Sequence, residues 1–253
     1  VLVGGCVQTA DFSIQVWPQP AVAISGDNEV CENETLILTE TGGSAVSWAW
    51  YNGSGLVTTN QILNFSNPTF AQFGGYASVV VTDANGCTNA RTVDVITYAV
   101  PPVTASSNAP FCAGSDDLHL TESGGGQGVS WMWSGPIGYT STQQNPVIVN
   151  PLPGTYTVKV TDFNGCTDQA SLPAIIHNLP TVTCPPTLFV GLADPPFPLA
   201  GATPAGGDYV GPNVTNGTFD PLAAGLGSHP VTYGYTDANG CSNECGLSVT
   251  VQN

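Results

Sequence analysis

The sequence predicts an all-β chain, built as a tandem array of three β-sandwich domains plus an N-terminal strand from an incomplete preceding domain. Three observations carry this prediction. A hexapeptide occurs three times: Thr82-Asp83-Ala84-Asn85-Gly86-Cys87, Thr161-Asp162-Phe163-Asn164-Gly165-Cys166 and Thr236-Asp237-Ala238-Asn239-Gly240-Cys241. Its cysteines lie 79 and 75 residues apart (166−87 and 241−166), and a period of that length marks tandem domains. Short segments of alternating polarity are separated by Gly, Pro, Asn and Asp, and none has the periodicity of an amphipathic helix. Finally, 253 residues are too many for one small sandwich and suit three.

The elements follow from the N-terminal end. Cys87 plus 14 is Pro101, and Cys166 plus 14 is Pro180. Proline cannot donate to a sheet ladder, so each ends a final strand and stiffens the junction. The same distance from Cys6 reaches Pro20, and Gly4-Gly5-Cys6 stands where Asn-Gly-Cys stands elsewhere. Between them Phe12, Ile14 and Val16 alternate with Asp11, Ser13 and Gln15. Residues 1–18 therefore read as the last strand of an incomplete domain and as a candidate donor strand. Trp17 is expected to pack at the domain junction.

Residues 19–100 and 101–179 read as the first and second sandwiches, and 180–253 as the third. Leu36-Ile37-Leu38-Thr39-Glu40-Thr41-Gly42-Gly43 aligns with Leu118-His119-Leu120-Thr121-Glu122-Ser123-Gly124-Gly125. Val46-Ser47-Trp48-Ala49-Trp50 aligns with Val129-Ser130-Trp131-Met132-Trp133. Each has the alternation of a half-buried strand, which puts both Trp on the face of Val46 or Val129 and favours core packing over a sugar-stacking platform. Tyr76 to Val81 and Tyr156 to Val160 run into the hexapeptide. There Asp and Asn bond back to the backbone and Gly takes the left-handed conformation that closes a hairpin. The Cys that follows opens the final strand.

Eight cysteines in regular positions indicate an oxidising compartment. Cys31 precedes the Leu36 strand and Cys112 the Leu118 strand. If the strands run up and down, the second and seventh begin at one end of each sandwich. Cys31–Cys87 and Cys112–Cys166 are then the expected bonds. Their loops of 56 and 54 residues (87−31 and 166−112) predict stabilisation of about 4 kcal/mol each in the chain-entropy model. The third domain carries Cys184, Cys241 and Cys245, so one of these lacks a partner within the domain, as does Cys6. Cys6 and one of these three thus stand as candidate thiols for a bond between subunits or to a missing domain.

Only Arg91 and Lys159 are basic, and the formal net charge is −16. Such a chain repels nucleic acids and anionic membranes. No apolar run approaches the 18 residues of a membrane span. The three histidines, His119 on an outward face, His177 near a strand end and His229 in a loop, form no catalytic or metal-binding cluster. The Asp-x-Asn-Gly turns hold one carboxylate each, short of the acidic density of a calcium loop. No cofactor, metal or catalytic residue is expected.

These residues resemble a known class of repeat. The hexapeptide, the Val-Ser-Trp-x-Trp strands, Phe111-Cys112-Ala113-Gly114-Ser115 and Trp133-Ser134-Gly135-Pro136 with Tyr139-Thr140-Ser141-Thr142 resemble Ig-like or PKD-like repeats. Such repeats occur in large secreted surface proteins of Bacteroidota, including gliding adhesins. Residues 180–253 resemble a hyalin-type repeat, opened by Thr183-Cys184-Pro185 and closed by Cys245-Gly246-Leu247-Ser248-Val249-Thr250-Val251. Gly191 stands where that pattern carries a further Cys. The resemblance implies Cys184–Cys245 with Cys241 free; Cys184–Cys241, by analogy with the first two domains, stays open.

The resulting expectation is a non-enzymatic extracellular structural protein, secreted or on a cell surface. It is a disulfide-stapled rod of Ig-like repeats in an adhesin or in a filament assembled head-to-tail by strand donation. In the filament, Cys6 of one copy bonds Cys241 of the next. Its expected partners are copies of itself, adjoining repeats, or a host or surface glycan or protein. The alternative is a glycan- or protein-binding module of a secreted multidomain enzyme.

Overall fold

The computed structural model describes residues 10–124 and 130–253. They form two compact units: residues 10–102 with 161–168, and residues 103–124, 130–160 and 169–253. Strands dominate. The two α-helices, Phe70–Phe73 (α1) and Pro221–Ala224 (α2), are single turns started by the Thr69 and Asp220 side chains. Among the described residues no helix is long and apolar enough to cross a membrane.

The first unit holds nine strands: β1 Ile24–Ser25, β2 Glu29–Cys31, β3 Thr35–Glu40, β4 Ser47–Asn52, β5 Gly55–Thr58, β6 Ile62–Ser66, β7 Tyr76–Thr82, β8 Thr88–Asp94 and β9 Ile96–Tyr98. One sheet runs β1-β3-β6 and the other β5-β4-β7-β8; β2 pairs parallel with β9. Alternation sends Leu36 and Leu38 of β3 and Val79 and Val81 of β7 inward, where they enclose Trp50, Leu63 and Phe73.

The second unit contains two sandwiches. The first of them is built from β10 Thr104–Ser107, β11 Phe111–Cys112, β12 Leu118–Ser123, β13 Ser130–Ser134, β14 Thr140–Ser141, β15 Val147–Ile148, β16 Gly154–Thr161, β17 Thr167–Ala174 and β18 Ile176–His177. Its sheets run β10-β12-β15 and β14-β13-β16-β17, and β11 pairs parallel with β18. Leu118, Leu120, Trp133, Tyr156, Val158 and Val160 fill the core. The other has β19 Leu188–Gly191, β20 Phe197–Pro198, β21 Asp208–Val210, β22 Val214–Thr215, β23 Thr218–Phe219, β24 Gly227–Thr236 and β25 Ser242–Gln252. Its sheets run β19-β25-β24-β21 and β20-β23-β22 around Phe219, Val231, Val249 and Val251. The chain is thus a tandem array of all-β sandwiches.

Three local expectations change. Residues 10–18 carry no strand, and the side chains of Phe12, Ile14 and Val16 are exposed; residues 1–9, with Cys6, lie outside the described residues. A strand needs a ladder partner, and this segment has none among the described residues. Val46 is exposed although Trp50 is fully buried, because regular strand geometry in β4 begins only at Ser47. His229 lies in β24 rather than in a loop, with Nε2 at 2.9 Å from the Gly225 carbonyl.

Candidate functional site

The three hexapeptides fold to one geometry. Asp83 Oδ1 accepts the amides of Asn85 and Cys87 at 2.8 and 2.9 Å. Asp162 Oδ1 accepts those of Asn164 and Cys166 at 2.9 and 2.8 Å. Asp237 Oδ1 accepts those of Asn239 and Cys241 at 2.8 and 2.9 Å. Gly86, Gly165 and Gly240 sit at φ 82°, 83° and 82°, the left-handed region that a side chain would strain. In the third turn the Cys241 amide does most to hold the Asp237 carboxyl below its ordinary pKa. Burial works the other way, and the Asn239 contacts and the charge of His177 assist the amide. Each Asp therefore serves to close its turn and to set a cysteine at the start of the next strand. Among the described residues no three His, Cys, Asp or Glu side chains group as a metal site.

The structure shifts the disulfides by one sandwich. Cys31 bonds Cys166 and Cys112 bonds Cys241, with Cα–Cα distances of 5.6 and 5.5 Å. Cys184 bonds Cys245 within the third sandwich at 5.7 Å. Among the described residues Cys87 is a free, half-buried thiol. The expected Cys31–Cys87 and Cys112–Cys166 bonds are therefore replaced, and Cys241 is bonded rather than spare. Cys184–Cys241 is likewise excluded.

The reason is strand direction. An up-and-down order would set the start of the second strand beside the start of the strand after the turn. Instead β2 runs parallel to β9, with Cys31 opposite Tyr98, and β11 runs parallel to β18, with Cys112 opposite His177. Tyr98 is 11 residues beyond Cys87 (98−87), and His177 is 11 beyond Cys166 (177−166). At about 3.3 Å per residue this separates each cysteine from its expected partner by roughly 36 Å along the strands. The second-strand cysteine sits at the far end of its own sandwich, where the chain leaves for the next.

Side-chain amides reinforce these positions. Asn33 Nδ2, two residues after Cys31, donates to the Thr167 carbonyl beside Cys166 at 2.8 Å. Asn243 Nδ2, two residues after Cys241, donates to the Pro180 carbonyl at 3.0 Å. Asn89 Nδ2, two residues after Cys87, donates to the Pro20 carbonyl at 2.8 Å. The cysteine turn and the incoming junction proline are thus tied together in both the first and the third sandwich.

The Trp-x-Trp strands face inward. Trp50 and Trp133 are fully buried, with Nε1 donating to the Gln61 and Gln144 carbonyls at 3.4 and 3.0 Å. Trp48 and Trp131 pack against the same cores and donate to the buried carboxylates of Glu40 and Glu122 at 3.0 and 2.9 Å. This repeated Glu–Trp pair went unpredicted. Its signal was present in the aligned Leu-Thr-Glu and Ser-Trp segments, which place a carboxylate at an inward strand position in both repeats. His119 is exposed on β12. His177 is half-buried beside the Cys112–Cys241 junction, near Asp237.

Comparison with solved structures gives the fold a relative. A crystal structure of the N-terminal eight Ig domains of Down Syndrome Cell Adhesion Molecule, isoform 1.30.30, aligns at TM-score 0.51 and 15% identity, covering 93% of this chain and 37% of that one. The chain shares its tandem Ig-like fold and spans 37% of its length. A Ca2+-stabilised adhesin of an Antarctic bacterium that binds ice aligns at TM-score 0.40 and 17% identity, over 93% of this chain and 75% of that one. A 1.5-MDa bacterial ice-binding adhesin aligns at 0.38 and 15%, over 93% and 100%. No family model and no curated protein matches the chain.

Proposed function

We propose that this chain is a non-enzymatic, extracellular spacer, a tension-resistant run of Ig-like repeats in a surface adhesin or secreted fibre. The observation that carries the reading is the offset of the disulfides. Cys31–Cys166 and Cys112–Cys241 each join the exit end of one sandwich to the turn of the following one. Such bonds add little to an isolated core and much to the continuity of a string. Three disulfides also belong to an oxidising compartment outside the cytosol, and the resemblance to Bacteroidota surface repeats agrees. The Phe12, Ile14 and Val16 side chains, which alternate with polar residues in a segment exposed throughout, support a fibre extended by handing this strand to a neighbouring sandwich. No observation favours the glycan-module alternative, since the paired Trp are committed to the cores. Negative-stain imaging of the native material tests the reading: slender fibres or surface appendages are expected, and a compact enzyme particle containing this chain overturns it.

A further inference from the structure

The two junctions that carry disulfides follow one rule. In each, a cysteine ending the second strand lies opposite the residue three before the junction proline: Tyr98 before Pro101, His177 before Pro180. That cysteine bonds the hexapeptide cysteine of the sandwich after the proline, Cys166 or Cys241. Applied once more, at Pro20, the rule selects Trp17 as the residue three before and Cys87 as the hexapeptide cysteine. Cys87 is the free thiol among the described residues. Its turn matches those of its bonded sisters in every hydrogen bond to the Asp carboxylate. The Asn89–Pro20 contact repeats the Asn243–Pro180 contact of a junction that is bonded.

A second, independent observation comes from the segment before Pro20. The positions eight, six and four before the junction proline are Val93, Val95 and Thr97 in one repeat and Leu172, Ala174 and Ile176 in the next. Leu172, Ala174 and Ile176 are buried, as is Val95, and Val93 packs against the first core. The same positions before Pro20 are Phe12, Ile14 and Val16, which are 81%, 73% and 81% exposed. Three apolar side chains at core positions of a repeat, without the core, call for a sandwich to cover them.

We propose that Cys87 is the attachment point of a further Ig-like sandwich, which takes residues 11–17 as its last strand and presents a cysteine at the end of its second strand opposite Trp17. The inference rests on the repeat-array reading. The three sandwiches of a second copy do not fit this role. Cys31 and Cys112 are already bonded and lie beside their own last strands, and the third sandwich has β25 in place with Cys184 bonded to Cys245. The occupant is therefore a fourth sandwich of the same kind. The bond forms by exchange with an oxidising disulfide X–S–S–X, small or borne by a protein. The Cys87 thiol and the partner thiol become one disulfide, and the oxidant leaves as two X–SH.

The test is peptide mapping of native material under non-reducing conditions after capping of free thiols. Cys87 is expected in a disulfide with a peptide whose cysteine is followed five or six residues later by an apolar alternating strand. Cys31 precedes Leu36 by five residues (36−31) and Cys112 precedes Leu118 by six (118−112). Whether that peptide derives from the same polypeptide or from another decides between an upstream repeat and a separate subunit. Cys87 recovered as a capped free thiol, or bonded to Cys6 of its own chain, overturns the proposal. Footprinting provides the second readout: Phe12, Ile14 and Val16 are expected to be protected in native material and modified in the isolated 253-residue chain. Equal modification in both also overturns it. Either failure leaves the spacer reading standing, since imaging tests that separately.

Discussion

Pulled between residue 20 and residue 253, the oxidised chain is expected to yield almost no unfolding length, and the reduced chain a great deal. Cys31–Cys166 and Cys184–Cys245 bypass 135 and 61 residues of sequence. The longest run left outside them lies between Cys166 and Cys184, 18 residues (184−166). Force transmitted through the sulfur atoms bypasses β3 to β9 of the first sandwich and β10 to β16 of the second, and loads only β1, β2, β17 and β18. At about 3.4 Å per extended residue, breaking these two bonds together with Cys112–Cys241 frees up to roughly 46 and 21 nm of chain. Single-molecule force spectroscopy with and without a reductant measures this directly. Tens of nanometres released from the oxidised chain before any bond breaks would sink the account of its mechanics.

Trp133→Ala is expected to remove most of the stability of the second sandwich. Trp133 is fully buried among Leu118, Leu120, Val158 and Val160. Truncating a buried aromatic residue costs about 3–5 kcal/mol through lost transfer energy and the cavity left behind. Its Nε1 also donates to the Gln144 carbonyl at 3.0 Å, and losing that bond adds about 0.5–1.5 kcal/mol. Against a whole-domain stability of about 5–15 kcal/mol, the loss is large. Denaturant titration of the oxidised protein should show the second sandwich melting early. Trp133→Phe should recover part of the loss by refilling the cavity. A change below about 1 kcal/mol for the alanine variant contradicts the core assignment.

Much of this architecture was legible in residue patterns. The hexapeptide announced both the turn and its period, because Asp, Asn and Gly each have a local backbone task there. The Leu36 and Trp50 strands announced their inward faces through alternation. What remained hidden was relational. Cysteine spacing is nearly indifferent to whether Cys31 meets Cys87 or Cys166, since both sit in equivalent turns, and counting leaves one cysteine besides Cys6 unpaired in either scheme. The choice depended on β2 running parallel to β9, a long-range pairing without a local signature. The Glu40–Trp48 pair was hidden for a different reason. Alternation puts Glu40 on the inward face with Leu36 and Leu38, but a buried glutamate goes against its usual exposure until the Trp that pairs with it is known. Residues 11–17 show the converse: the pattern reads as a strand, and none forms there among the described residues.

The central claim is that disulfides link successive sandwiches, and it is tested most directly by mapping the bonds in oxidised protein. Proteolysis without reductant, followed by mass spectrometry, should yield cross-linked peptides joining Cys31 to Cys166, Cys112 to Cys241 and Cys184 to Cys245. Recovery of Cys31 with Cys87 and of Cys112 with Cys166 would contradict it and return each sandwich to its own staple.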